Sequence, residues 1–586
     1  MEQPQQSKTT SFLKGAAIMS AATIVVRIIG ALFKIPLFSM FRTYDVPEAT
    51  SFFTSAYNIF GLLLIVGTAG LPVAVSKMVS SAHERRQYKD VMTIFSVSRI
   101  VFMTVGGVST LLMVIFAPII AVWIEGSANA IRAVAPGVFL VCWMGAYRGT
   151  HQGHGNMMPT AMSQLVEATG KLIFGLLLVF LVVRGTLSIS GVMSYDAASA
   201  GIAGVTIGSI LGAFFMAGMW YKQRKQYTQC INPEQVGRSR KSVLNELLRL
   251  AIPVTLAAII LQLANIVDMS VALRRLITMY GVDRAGANAM FAPIAESHPI
   301  TGFPQGIVVA MAVSLIPALS SAIAAKNREK VYGVVGSAFH VSAVLIMPSV
   351  LGLVALGTPI MQLLFRSGTH GGVIMSVAAL NIMPLCMASL TNAMLQAMGK
   401  PTIPMINMII GGVTRVAATF MLMSWLGPIS PRFALIGAVI SPVIAYFVIF
   451  VLNLSAIAQV IPWKRLTEPF VRPLLAALIM SGCVYYINRG MMTILPGGLD
   501  SRLMTTIGVA VSVGVGVLIY GLLAIWLGIV RRRDFERLPK GEKVADFFNV
   551  SAEPPKRRLS VVAIAALLVL GSMLAGMMIL PPLYTI

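Results

Sequence analysis

Long apolar segments recur along the whole chain, and no other feature restricts its fold so severely. A helix needs about 20 mostly apolar residues to cross a bilayer. Segments that meet this requirement fall at 11–41, 49–79, 91–118, 129–147, 160–183, 198–221, 246–273, 300–325, 333–361, 374–397, 403–426, 434–458, 471–488, 503–530 and 559–581, fifteen in all. In lipid every backbone polar group must be satisfied internally, which leaves helices or a closed barrel. Alternation of apolar and polar residues at period two is missing, so a barrel is excluded. The expected fold class is an all-α polytopic membrane protein. The composition agrees, with 57% hydrophobic and 11% charged residues, where a soluble chain carries about 25% charged.

The charge balance is strongly basic, with 45 Lys and Arg against 21 Asp and Glu, a formal +24. In a soluble protein that balance points to nucleic acid; here the position of the cations decides. Placing the N-terminus in the cytoplasm puts 29 basic residues on inner segments, 9 on outer ones and 7 within spans. Lys and Arg accumulate on cytoplasmic loops of membrane proteins, so most of the charge is a topology signal and no nucleic-acid partner is expected. The first apolar run carries Arg27 and Lys34 and lacks a cleavage site, so it reads as a membrane helix and not a signal peptide. Cys142, Cys230, Cys386 and Cys483 lie far apart without metal-ligand or disulfide spacing.

A weak internal repeat runs at an offset near 240. Ser80-Ser81-Ala82 at the end of the second span recurs as Ser320-Ser321-Ala322 at the end of the eighth. Gln152-Gly153-His154-Gly155-Asn156 is echoed by Gln396-Ala397-Met398-Gly399-Lys400. The offset equals six spans, and an even number preserves orientation, so the halves are parallel repeats about an axis along the membrane normal. Two six-helix repeats predict a two-lobed alternating-access carrier with two or three extra C-terminal helices. The expected divisions are a cytoplasmic N-terminus at 1–10, an N-lobe at 11–221, a basic linker at 222–243, a C-lobe at 244–458, two spans at 459–530, a basic loop at 531–558 and a final span at 559–586.

A charge within a span costs at least ~2.5–3.5 kcal/mol on insertion scales, so each is a functional candidate. Arg27 lies thirteen residues past Lys14, about 20 Å deeper at the helical rise, too deep for its side chain to reach headgroups easily. Lys34 is seven residues further on the same face, near the outer boundary, where reaching the headgroups is an equal alternative. Arg415 lies mid-span. Glu167 and Lys171 stand at i and i+4 and read as a mutually neutralising pair. Gln262, Asn265 and Asp268 share a broad face; polar residues there can bind helices together, and Asp268 is equally open to such a structural role, to pairing with Arg27 or to a coupling cation. Glu296 and His298, entering the eighth span beside Pro299, are placed at the outer mouth. The cationic bias favours a phosphate or pyrophosphate over an organic cation. No nucleophile–base pair, metal-ligand cluster or GxxxxGK[ST] loop is present, so neither an enzyme nor a cofactor is expected.

Tyr57 to Ser81 (YNIFGLLLIVGTAGLPVAVSKMVSS), Tyr147 to Gln164 (YRGTHQGHGNMMPTAMSQ), Val309 to Ser321 (VAMAVSLIPALSS) and Leu395 to Asn407 (LQAMGKPTIPMIN) resemble the polysaccharide-biosynthesis flippases. The likeness is to the branch holding stage V sporulation protein B and the Gram-positive lipid II flippases, relatives of the multidrug and toxin extrusion carriers, over residues 11–530. It implies a fourteen-helix, two-lobed fold in the cell membrane that moves an undecaprenyl-pyrophosphate-linked sugar, such as the peptidoglycan precursor lipid II, to the outer leaflet. In that family arginines of a central cavity hold the pyrophosphate, and Arg27 falls on the first-helix position of the set. The second helix offers no mid-span arginine, and the eighth has Glu296 and His298 instead. The expected site is therefore Arg27, Lys34, Asp268, Arg415, Glu296 and His298, with membrane lipids and cell-wall synthesis proteins as candidate partners. The alternatives are a flippase for another lipid-linked oligosaccharide, a cation-coupled multidrug antiporter and a non-transporting membrane scaffold.

Overall fold

The computed structural model describes residues 3–68, 70–188, 190–229, 237–366, 369–459, 461–494 and 502–529. Sixteen helices and no strand occur among them: α1 (Gln3–Thr43), α2 (Glu48–Thr68), α3 (Gly70–Glu84), α4 (Tyr88–Trp123), α5 (Ala128–Gly153), α6 (Met158–Val183), α7 (Met193–Gln229), α8 (Arg240–Tyr280), α9 (Arg284–Ala324), α10 (Arg328–Phe365), α11 (Thr369–Ala379), α12 (Ile382–Ala397), α13 (Thr402–Leu426), α14 (Pro431–Ala458), α15 (Trp463–Ile494) and α16 (Arg502–Trp526). The first fourteen expected spans are all helical. The second is divided into α2 and α3, and the tenth into α11 and α12. Twelve helical segments among the described residues are long and apolar enough to cross a membrane, which makes the chain a multi-pass membrane protein. The expected fifteenth span, the basic loop before it and residues 230–236 of the basic linker lie outside the described residues.

One boundary is corrected. The eighth span, expected to open at 300, begins at Arg284. Pro299 reads as a helix-opening residue because it lacks the N–H that the first turn leaves unused. Inside a membrane protein, neighbouring groups take up the carbonyl that an internal proline frees, and α9 runs straight through it. Glu296 and His298 therefore sit within a helix and not at its entrance.

The internal repeat is written in the backbone as well as in the residues. Arg86 after α3 and Lys326 after α9, 240 apart, both adopt positive φ, 56° and 52°. Gly155 after α5 and Gly399 after α12, 244 apart, share φ 76°. Glu125 after α4 and Arg366 after α10, 241 apart, are at 50° and 53°. The hydrogen bonds match too. Gly155 N–H reaches Gln152 O at 2.9 Å and Asn156 N–H reaches His151 O at 3.1 Å, while Gly399 N–H reaches Gln396 O at 3.0 Å and Lys400 N–H reaches Leu395 O at 2.9 Å. Each is the left-handed stop that satisfies the orphan carbonyls of a helix C-terminus. The first repeat thus runs from α1 to α7 and the second from α8 to α14, with α15 and α16 beyond them.

A Cβ at Gly399 meets nothing within 4 Å, so the cost of replacing it is that of the left-handed backbone alone. Gly399→Ala is expected to destabilise by about 1–2 kcal/mol, read as a lowered thermal midpoint in detergent. Gly155→Ala, equally open, is expected to match it.

The chain divides into two compact units. Unit 1 comprises Met1–Phe303 and Met408–Ser441, and unit 2 comprises Pro304–Asn407 and Pro442–Ile586. In unit 1, α6 and α7 meet glycine to glycine: a Cβ on Gly204 would stand 2.2 Å from Gly175 Cα. Small residues let membrane helices approach closely enough for backbone packing, which replaces the missing hydrophobic drive between helices in lipid. Unit 2 is built around Leu319, Phe339, Met387, Leu390, Met394 and Ile457, all buried. There Asn453 links α14 to α12 and α13, donating to Asn392 Oδ1 at 2.7 Å and accepting from Asn407 at 2.8 Å.

Candidate functional site

Within unit 1, three arginines hold three of the carboxylates that lie inside its helices. Arg42 near the end of α1 holds Glu296 of α9 through two bonds, Nε to Oε1 at 2.7 Å and Nη2 to Oε2 at 3.3 Å. Glu296 is fully buried. Arg148, buried in α5, donates to Glu167 of α6 at 3.0 Å and to Ser163 at 3.0 Å. Arg415 of α13 donates to Asp268 of α8 at 2.8 Å and also to Asn265. Asp268 accepts from Thr419 and, at 3.5 Å, from Ser441. A guanidinium presents a planar fork that matches carboxylate geometry, so it outcompetes the point charge of a lysine for these partners.

Two sequence readings are thereby corrected, those of Glu167 and Glu296, and the open reading of Asp268 is narrowed. Glu167 does not neutralise Lys171 one turn away; its partner is Arg148, which reads as a loop residue and in fact lies inside α5. Asp268 pairs with Arg415, not with Arg27, and its oxygens are already bonded to a guanidinium and two hydroxyls. Glu296 is sealed against Arg42 and lines no mouth.

The polar face of α8 is a network. Gln262 donates to Asn58 O at 3.2 Å, Asn265 donates to Gln262 at 3.3 Å, and Asn265 in turn meets Arg415. His298, two residues from the arginine-bound Glu296 and on a different face of α9, is exposed and lies within charge range of Lys34 and Arg415.

The lysines have no such carboxylate. Lys34 Nζ sits over the Tyr57 ring at 4.6 Å from its centroid, nine residues short of the end of α1. Lys171 Nζ lies 6.0 Å from the same ring and 5.7 Å from Phe33. Among the described residues no acid forms an ion pair with either lysine. Arg27 is exposed on α1, two turns before Lys34 and within about 20° of the same face. The structure thus brings Lys34, His298, Arg415 and Asp268 into one region of unit 1, commits Glu296 to a separate pair and leaves Arg27 about 10 Å along α1 from Lys34.

Sequence reading missed Arg42, Arg148, Tyr57 and Lys171 as members of this set. Only Lys171 carried a local signal, its charge within a span, and the i+4 acid masked it. The others acquire their roles from partners on distant helices.

A repeated helical fold, with twelve segments among the described residues long and apolar enough to cross a membrane, defines a multi-pass membrane protein built from two repeats. The family model described as polysaccharide biosynthesis protein matches residues 12–323, and the chain belongs to that family. Among relatives from Bacillus subtilis (strain 168), it is 23% identical to the uncharacterized membrane protein YabM over 92% of this chain and 96% of the relative. It is 22% identical to the lipid II flippase MurJ over 91% and 98%, and 23% identical to stage V sporulation protein B over 90% and 98%. Its fold is shared with a solved lipid II flippase MurJ in an inward closed conformation, at TM-score 0.61 and 18% identity over 87% of this chain and 98% of that one.

Proposed function

We propose that this protein is a flippase that moves an undecaprenyl-pyrophosphate-linked sugar, the peptidoglycan precursor lipid II foremost, from the inner to the outer leaflet of the cell membrane. One observation carries the reading: Glu167, Asp268 and Glu296 are each bonded to an arginine, while no acid among the described residues forms an ion pair with Lys34 or Lys171, so the two lysines present N–H donors and positive charge. That is the chemistry of a site for an anion. A carrier of organic cations needs the reverse, carboxylates left open within the membrane, and Asp268 already holds Arg415.

In this reading the N-terminus is cytoplasmic, since that placement puts the basic segments inside. The headgroup enters from the cytoplasmic side, its pyrophosphate meets Arg27, and the polyprenyl tail stays in lipid. The repeats at 11–221 and 244–458 act as the lobes that alternate access around the headgroup. With an interior-negative potential of 100 mV, moving two negative charges outward is favoured by about 4–5 kcal/mol. That is enough to bias transport outward without nucleotide hydrolysis.

Depletion of the protein in its host is expected to make lipid-linked sugar precursors accumulate severalfold, measured by mass spectrometry of extracted lipids. Unchanged precursor pools together with hypersensitivity to drugs would replace this reading by the multidrug antiporter.

A further inference from the structure

Arg27 and Lys34 share a face of α1, yet their surroundings differ. Lys34 is one of two ammonium groups, with Lys171 of α6, that converge on Tyr57 of α2. Beneath them lies an aromatic floor. Tyr57 stacks on Phe53 at 5.8 Å and 12°, and Phe53 meets Phe33 edge-on at 6.0 Å. Phe33 and Phe53 are fully buried, while Lys34, Lys171 and Tyr57 are half-buried. The site therefore has a sealed base and an accessible top.

The inventory of donors and acceptors is one-sided. Each ammonium offers three N–H donors and no acceptor, and the Tyr57 hydroxyl can donate one bond as well as accept. Glu167, the nearest acid in sequence to Lys171, is held by Arg148 at 3.0 Å. Two like charges gathered near one ring repel each other, and an aromatic face offsets a cation only in part. Uncompensated charges inside a membrane protein mark a position that a substrate charge completes.

We propose that Lys34, Lys171 and Tyr57 form a second anion subsite, about 10 Å along α1 from Arg27, that binds a carboxylate on the headgroup of the transported lipid. The proposal rests on the flippase reading, in which Arg27 receives the pyrophosphate. It deepens that reading by making the preferred substrate a lipid-linked saccharide with an acidic group one or two sugars out. A carboxylate on the sugar and a carboxylate on an attached peptide share the recognising chemistry. Two lysines, as mobile point charges, suit an anion whose position varies, where a fixed bidentate partner would call for arginine.

The test measures binding of three undecaprenyl-pyrophosphate lipids to the purified full-length protein in nanodiscs. One carries a neutral disaccharide, one the same disaccharide with a sugar carboxylate, and one the disaccharide with a peptide bearing free carboxylates. The wild type is expected to bind at least one acidic lipid about tenfold or more tightly than the neutral one, the worth of one charge-assisted hydrogen bond. Which acidic lipid gains identifies the source of the carboxylate. Lys171→Gln is expected to bring the acidic-to-neutral ratio close to one, and Lys171→Arg to restore most of it. Arg27→Gln is expected to weaken all three lipids together and leave the ratio in place. Equal binding of acidic and neutral lipids by the wild type, or a ratio that survives both Lys34→Gln and Lys171→Gln, overturns the subsite and leaves the flippase reading standing. Failure of the wild type to bind any of the three overturns both.

Discussion

Arg27→Gln is expected to cut the appearance of lipid-linked sugar in the outer leaflet by about 10- to 100-fold. The magnitude follows from the loss of a charge-assisted hydrogen bond, worth about 1.5–3 kcal/mol, at about tenfold per 1.4 kcal/mol. Arg27 is exposed, so its replacement empties no packed position, and a matched thermal midpoint distinguishes lost transport from lost fold. Arg27→Lys keeps the charge without the planar fork and is expected to retain an intermediate rate. The measurement is the accessibility of the headgroup to a membrane-impermeant enzyme in proteoliposomes. Full transport by Arg27→Gln would remove the pyrophosphate from this position.

The second large effect concerns the buried pair of Asp268 and Arg415, whose side chains are 9% and 14% exposed. Arg415→Gln leaves an uncompensated carboxylate among Thr419 and Ser441, and Asp268→Asn leaves an uncompensated guanidinium. Each is expected to destabilise by about 3–5 kcal/mol. The double variant is expected to recover much of that loss, because no charge is then left unpaired in the interior. Guanidinium titration or thermal unfolding of the four proteins completes the cycle. The antiporter reading predicts a different pattern: Asp268→Asn would fold normally and lose dependence on Na⁺ or protons, with Arg415→Gln nearly silent. The cycle therefore separates a structural lock from a coupling acid.

The apolar segments were legible because insertion into lipid is a local property, summed over some 20 consecutive residues. The repeat was legible for a related reason: a helix stop is made by four or five neighbouring residues. Gly155 and Gly399 carry the same left-handed conformation within the same hydrogen-bond pattern. The start of α9 was misread because Pro299 was taken as a helix-opening residue, whereas α9 begins fifteen residues earlier at Arg284.

The candidate site was legible only as a list of charges. Their pairing depends on distances that sequence does not contain: Arg42 and Glu296 are 254 residues apart, and Arg415 and Asp268 are 147 apart. Where a partner was available one turn away, as Lys171 was for Glu167, the local rule failed. An exposed i,i+4 pair contributes only about 0.2–0.5 kcal/mol, less than a buried guanidinium gains from a carboxylate.

By itself, then, the sequence determined the membrane environment, the all-helical fold and the parallel repeat, all consequences of short-range free energies. The tertiary structure alone decided which cations keep their charge uncompensated. That follows from competition in a low-dielectric interior, where each carboxylate goes to the donor set that satisfies most of its lone pairs. Arginines on distant helices met that condition, and Lys34 and Lys171 were left facing Tyr57.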